Sequence, residues 1–426
     1  MNIVYMHSHD TGRCIEPYGY PVRTPRLAAF AERAVVFRNA FCAAPTCSPS
    51  RAALLTGATP HVNGMLGLTH RGFALSDYSQ HIVSTLKKAG YHTALSGVQH
   101  VASSWEQIGY HEYLGGPSAA ETNAEDFLRR PPTAPFFLSV GFFETHRQFP
   151  ALDSAAEADG ARAPAPLPDV EQTRTDAARY ARSATLLDAK MGRVLDAIDE
   201  SSLSNDTLII VTTDHGIAFP GMKCNLNDAG TGVMLMVAGP NQFSRHRTVD
   251  AMVSHLDVFP TICELLSIDR PPWLEGQSLL PLVTGEVASL HDELFAEVNY
   301  HAAYEPMRTV RTERYRYVRR YDGRTRPVLP NCDDSESKAY LMANGWGGRR
   351  PDQEALYDLV FDAYETNNIV DDPRHRDILA DLRNRLQLWM EETDDPLRHG
   401  WVAAPHGATL NDPDAPSNKS QSFRAP

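Results

Sequence analysis

Short apolar runs alternate with amphipathic stretches along the first ~285 residues of the chain. The runs Ile3–Met6, His92–Leu95, Phe136–Phe143, Leu208–Thr212 and Val233–Val237 are too short for helices and too apolar for loops, so they read as buried strands. Between them, Thr24–Arg33, Ser50–Leu55, His81–Ala89 and a long stretch near Thr175–Asp199 read as helices. In the last of these Tyr180, Ala184, Leu187, Met191, Leu195 and Ile198 recur every three or four positions and make one apolar face. This alternation predicts an α/β domain over 1–285, with a largely parallel sheet flanked by helices. Ala151–Pro168, rich in Ala, Pro and Asp, reads as a surface excursion within that domain.

The texture changes near His291. Glu293–Val298, Met307–Thr312 and Tyr315–Tyr321 read as successive antiparallel strands in which aromatic residues alternate with arginines. A helix near Arg374–Thr393 follows, carrying Ile378, Leu382, Leu386 and Trp389. The expectation is a smaller α+β unit over 286–400. The tail 401–426, rich in Pro, Asn, Asp and Ser, is expected to be poorly ordered.

The 426 residues carry a net charge of −13 and contain no compensating basic block, which argues against a nucleic-acid partner. An anionic substrate must then be met by a local cationic pocket. No apolar run approaches the ~20 residues needed to span a bilayer, so no membrane partner is expected. Met1 leads directly into Asn2-Ile3-Val4-Tyr5-Met6, which reads as a strand and not as a secretory signal, so a cytoplasmic location is expected. The charge leaves the oligomeric state open, a homo-oligomer included. The six cysteines form no CxxC pair and read as small buried hydrophobes. Only Cys47 has neighbours that suggest more.

In open α/β sheets the site lies at the carboxyl ends of the strands. Four predicted strands are followed by polar clusters there: His7-Ser8-His9-Asp10, Gly97-Val98-Gln99-His100, Glu144-Thr145-His146-Arg147 and Thr213-Asp214-His215-Gly216. Taken singly, each cluster can be an ordinary surface loop. Together they point to a metal or anion site. Asp10, Asp214 and His215 are donors suited to a divalent cation, whereas His9 can ligate, face solvent or donate to Asp10. A second constellation is Cys47-Ser48-Pro49-Ser50-Arg51. Pro49 suits a first helical turn, which places Cys47 just ahead of a helix N-terminus, and Arg51 one turn on can point back at it. Helix capping explains Ser48 and Pro49 but not the flanking Cys and Arg.

The C-x-P-S-R run, its small-apolar helix and Thr56-Gly57 resemble the type I sulfatases of the alkaline-phosphatase-like superfamily. Asp10, Thr145-His146-Arg147 and Thr213-Asp214-His215-Gly216 strengthen the likeness. Asp214 through Pro220, Lys223-Cys224-Asn225-Leu226, Pro306-Met307-Arg308, Ala355 through Leu359 and Trp389 through Pro396 resemble the heparan N-sulfatase (sulfamidase) branch, so the resemblance runs from about Asn2 to Pro396.

The resemblance implies an alkaline-phosphatase-like mixed, mostly parallel sheet and an enzyme that hydrolyses a sulfate ester or sulfamate, on a sugar or other small sulfated substrate. It implies that a formylglycine-generating enzyme oxidises Cys47 to formylglycine, whose hydrate attacks sulfur. It implies a divalent metal held by Asp10, Asp214, His215, residue 47 and His9. Arg51 would stabilise the hydrate and His100 would act as the base that collapses it. His146 would contact sulfate and protonate the leaving group, Lys223 would hold a sulfate oxygen, and Arg147 would meet a substrate carboxylate or sulfate.

Two departures stand out. The family has aspartate where His9 stands, so Ca2+, the family's expected ion, yields ground to Mn2+ or Zn2+. The family also has Gly-Lys where this chain has Gly97-Val98, and Arg13 is a candidate to replace the missing cation. These departures keep two alternatives in view: a phosphodiesterase or phosphonate monoester hydrolase of the same superfamily, and a pseudoenzyme that binds a sulfated glycan. The loops Ala151–Pro168 and Asn331–Arg350 are expected to shape the substrate pocket.

Overall fold

A computed structural model describes residues 1–426. Its main sheet has eight strands. In spatial order they are Arg247–Val249, Val35–Phe37, Leu235–Ala238, Thr207–Thr213, Asn2–Ser8, Phe136–Gly141, His92–Gly97 and Glu112–Gly115. All neighbours run parallel except Leu235–Ala238, which is antiparallel to both strands beside it. The central strands are apolar on both faces because both are covered. Ile3, Tyr5, Leu208 and Ile210 enter one core, and Val4, Met6, Ile209 and Val211 enter the other. The sheet is therefore the mixed, mostly parallel one expected, flanked by helices.

The long helix spans Glu171–Asp199, and all six residues of its expected apolar face are buried. It starts one turn earlier than its apolar pattern because the Thr173 hydroxyl accepts from the backbone N–H of Val170. The predicted run Val233–Val237 divides. Gly232–Val233 joins a small three-stranded sheet with Ala40–Phe41 and Val253–Ser254, and only Leu235–Ala238 joins the main sheet.

The second sheet is antiparallel, in the order Glu293–Tyr300, Tyr304–Thr312, Tyr315–Arg320 and Glu354–Asp358. Helix Arg376–Glu392 packs on it through Leu379, Leu382, Leu386 and Trp389. The segment 401–426 departs from its composition. Thr409–Asn411 pairs with Ser422–Arg424, and Ala408, Leu410 and Ala425 are buried in the main core. Three small or apolar residues at the right spacing anchor a strand that its polar neighbours mask. No helix of the chain is long and apolar enough to cross a membrane.

Candidate active site

Register brings the strand ends together. Ser8 stands opposite Thr213, and His7 stands opposite Gly141. The residues that follow, His9-Asp10 and Asp214-His215, therefore leave the sheet side by side. The Asp214 carboxylate fastens them: its Oδ1 accepts from the backbone N–H of Asp10 (2.8 Å) and of His215 (2.9 Å). Asp10 is held in the left-handed region, at φ 51°, a conformation that persists in a non-glycine residue only where its surroundings fix it. Gly216 is required for packing, since a Cβ there would lie 1.8 Å from the carbonyl oxygen of Ala229.

The helix that opens with Cys47 spans Cys47–Thr56 and is buried along its whole length. Cys47 lies in its first turn, one residue further in than expected, after Thr46. Its Sγ is 3.4 Å from Nε2 of His215 and 3.9 Å from Oδ1 of Asp10. Burial pushes the thiol well above its ordinary range, with the Asp10 and Asp214 charges adding to it. An unmodified Cys47 is thus a protonated, weak nucleophile at neutral pH. Arg51 points back as expected, but its contacts are with the strand end. Nη1 meets Nδ1 of His7, and Nη2 donates to the Ser8 carbonyl (2.8 Å) and to Oδ2 of Asp214 (3.0 Å). Burial alone would raise the Asp214 carboxyl. The charges of His215 and Arg51 and the neighbouring His9 overcome that and hold it well below the usual range.

The ligand atoms of His9, Asp10, Cys47 and Asp214 all lie within 4.8 Å of one another, and those of His9, Cys47 and His100 form an overlapping group. Nδ1 of His9 is 3.2 Å from Oδ2 of Asp214 but has no hydrogen-bond partner. His215 completes the ring of donors, with Nε2 3.3 Å from Oδ1 of Asp10 and Nδ1 bonded to the carbonyl of Gly216 (3.0 Å). That outer contact fixes the ring and leaves Nε2 facing inward.

The remaining expected residues divide. Lys223 is at the centre, its ammonium 2.9 Å from Oδ2 of Asp10 and 3.1 Å from Oδ2 of Asp333. Burial opposes its charge, but the two carboxylates outweigh burial and hold the ammonium protonated well above its ordinary range. His146 sets its ring edge-on to His9 at 5.4 Å, and its Nδ1 meets the Arg147 carbonyl. His100 stands beside His9 and stacks on His70, with Nε2 2.9 Å from Nδ1 of His70.

Arg147 was expected to meet a substrate anion; here its guanidinium is paired with both oxygens of Asp176 (2.6 and 2.7 Å) and donates to the Ala218 carbonyl. Arg13 likewise sits away from the nucleophile, against Asp228 and the Phe41 ring, and does not replace the missing lysine.

Sequence reasoning missed His70, His301, Asp333 and Asn418. Asp333 and the tail residue Asn418 (Nδ2 3.4 Å from Oδ1 of Asp333) come from outside the main sheet, so no strand end pointed to them. The only signal was that the stretch Asn331–Arg350, which carries a helix over Glu336–Ala343, was expected to shape the pocket.

The sulfatase family model matches residues 2–124 and 121–268, and the model of the N-sulphoglucosamine sulphohydrolase C-terminal region matches 223–331. Human (Homo sapiens) N-sulphoglucosamine sulphohydrolase is 30% identical over an alignment covering 91% of this chain and 88% of its own. A solved 2-O GAG sulfatase superposes with a TM-score of 0.74 at 21% identity, covering 100% of this chain and 98% of its own. A protein solved in complex with its substrate D-glucosamine-2-N,6-O-disulfate superposes with a TM-score of 0.72 at 17% identity, covering 97% and 99%. With these strand ends, this helix and these matches, the chain belongs to the sulfatase family.

Proposed function

We propose that this enzyme hydrolyses a sulfate ester or sulfamate on a sugar, using residue 47 in its formylglycine form together with one divalent cation. The observation that carries the reading is the convergence of Cys47, His9, Asp10 and Asp214 within 4.8 Å, with the Lys223 ammonium 2.9 Å from Asp10. The sulfated glucosamine bound by one structural neighbour and the N-sulfated glucosamine in the human relative's name support a sugar substrate.

The donor set fits a cation. Two buried carboxylates, two imidazoles and an unpartnered His9 nitrogen face one another; Arg51 and Lys223 each pair with one carboxylate, and the open His9 nitrogen and the remaining carboxylate lone pairs suit a divalent ion. Asp10, Asp214, His215, His9 and residue 47 would hold the ion. Two nitrogens among these donors favour Mn2+ or Zn2+ over Ca2+. When present, the ion and the formylglycine hydrate supply an activated oxygen nucleophile and a cationic seat for a sulfate oxygen.

The chain's own residues do the rest. Lys223, kept charged by its two acids, gives an N–H to a second sulfate oxygen, where charge builds up in the transition state. Arg51 keeps Asp214 ionised and fixes the strand end that carries the ligands. Nδ1 of His146 is committed to the Arg147 carbonyl, which leaves Nε2 to exchange a proton with the leaving oxygen or nitrogen. His100, oriented by His70 and within 4.8 Å of residue 47, would supply a base there.

The test has two parts. Mass analysis of the peptide bearing residue 47, after co-expression with a formylglycine-generating enzyme, should show the aldehyde in place of the thiol. Turnover of nitrophenyl sulfate should exceed that of a nitrophenyl phosphodiester. A thiol alone, or a preference for the phosphorus substrate, overturns the reading.

A further inference from the structure

Lys223 links the reaction centre to a group that no strand end supplies. Its ammonium bridges Asp10 and Asp333, so the Asp333 carboxylate stands one cation away from the metal ligands. Burial opposes ionisation of Asp333, but Lys223, His146 and His301 together hold its carboxyl well below the usual range, so it is an anion. Its oxygens are not fully used. Oδ2 accepts from Lys223, and Oδ1 has only the long 3.4 Å contact with Asn418, while a carboxylate offers about four acceptor positions. Asn331, two residues before Asp333, accepts through Oδ1 from the backbone N–H groups of Ala302 and Ala303, which seats the segment bearing His301 against the one bearing Asp333. His301 is buried, and neither ring nitrogen has a hydrogen-bond partner. Spare acceptors and an unpartnered imidazole side by side are what a polar ligand completes.

An apolar side chain lies against histidines of the site. Phe143, just past the end of strand Phe136–Gly141, is 46% exposed, with its ring 5.1 Å from His146 and 5.9 Å from His9. Its position against these two histidines gives a ligand ring an apolar face to lie on. Charges for a second anion are scarce. Arg147 is clamped by Asp176, and Arg71 donates from Nη1 to the carbonyls of Ala302 and Thr409.

We propose that Asp333, with His301 and the Phe143 ring, forms the subsite for the sugar that leaves the sulfate. This subsite takes a ring presenting hydroxyl or ammonium donors beside the sulfate, and it rejects a ring carrying a carboxylate there. The proposal rests on the sulfatase reading above. The ring's apolar face lies on Phe143, its donors meet Asp333 and His301, and the sulfate lies between Lys223 and residue 47.

The test uses the full chain with residue 47 converted, and three substrates: glucosamine 6-sulfate, a 2-sulfated hexuronate, and nitrophenyl sulfate, which has no sugar donors. The wild type should favour the glucosamine sulfate over the hexuronate by at least about tenfold in kcat/KM. Asp333→Asn should lower the ratio of glucosamine sulfate to nitrophenyl sulfate by about ten- to hundredfold, the loss expected for a hydrogen bond to a charged group. An equal loss on both substrates overturns the proposal and leaves Asp333 only a prop for Lys223. A wild-type preference for the hexuronate also overturns it. A measurement independent of any variant is product inhibition of nitrophenyl sulfate turnover. Glucosamine should inhibit at least about tenfold more strongly than glucuronate, and the reverse order overturns the proposal. Sulfate release from none of the three substrates, and none from glucosamine N-sulfate, overturns the sulfatase reading itself.

Discussion

Two buried clusters of charge lie in this molecule, and they are built in opposite ways. In the second sheet Arg308 is fully buried and its guanidinium is used up. It donates to both oxygens of Asp395, to the carbonyls of Val298 and Met307 and to Asn299, and it pairs with Glu297 at 3.1 Å. Glu297 in turn accepts from the backbone and the ring of His61 and from Asn299. The cluster ties the antiparallel sheet to the short helix Pro60–Asn63 and to the segment after the last long helix. Around Cys47 the reverse holds. Arg51 pairs with Asp214, Lys223 is shared between Asp10 and Asp333, and nitrogens of His9, His100, His301 and Arg51 lack partners. Burial of charge is common to both clusters. Satisfaction separates them by degree: the first leaves only Nε2 of His61 open and is a fastening, whereas the second leaves several nitrogens open, which suits the proposed ion and substrate.

The largest effects should come from removing the central group of each cluster. Cys47→Ala should lower sulfate release by at least about a thousandfold while leaving the thermal midpoint unchanged or higher, because a buried thiol facing two carboxylates stabilises nothing. Arg308→Ala should do the opposite. It strands Glu297 and Asp395 without a counter-charge, and loss of one partner from a buried pair costs roughly 3–5 kcal/mol, read from urea unfolding. Asp10→Asn sharpens the contrast. It should weaken Mn2+ binding by at least about tenfold in titration calorimetry, yet change stability by less than about 1 kcal/mol, because Lys223 keeps Asp333. A stability loss as large as that of Arg308→Ala would mean that the site is a fastening after all.

The sequence exposes the reaction centre better than the substrate mouth, for a physical reason. Strand ends are read locally. Once Asn2–Ser8 and Thr207–Thr213 are recognised as parallel neighbours, Asp10 and Asp214 must emerge together. Asp333 meets Lys223 across 110 positions, and Asn418 reaches Asp333 across 85, through loops whose path no periodicity encodes. Arg147 shows the converse. Its place after a strand end was legible, but Asp176, which neutralises it, lies on the long helix and gave no sign in the local pattern. Arg308 and Asp395 were visible only as parts of a resemblance, and their structural role needed the contact between them.

A smaller effect separates the clusters by metal. His9→Asp replaces an imidazole among the donors with a hard oxygen. It should shift relative affinity from Mn2+ toward Ca2+ by about tenfold in paired titrations, and an unchanged ratio would place His9 outside the coordination sphere.

The smallest effect is on pH, and it belongs to the fastening. Burial opposes the charge on both members of the His61–Glu297 pair, yet each outweighs that cost for the other. Glu297 and its neighbour Arg308 raise and lower His61 respectively, with a net rise, and Glu297 falls to about 2. The signs give two windows. The Glu297 contribution is present above its unfolded value, near 4.5, and disappears as pH falls toward about 2. The His61 contribution is complete below its unfolded value, about 6.5, and disappears as pH rises through its higher folded value. Urea midpoints of the wild type and His61→Gln, followed between about pH 5.5 and 9, should therefore converge as pH rises. A constant gap across that range would mean that His61 is held neutral and that Glu297 is satisfied by Arg308 and Asn299 alone.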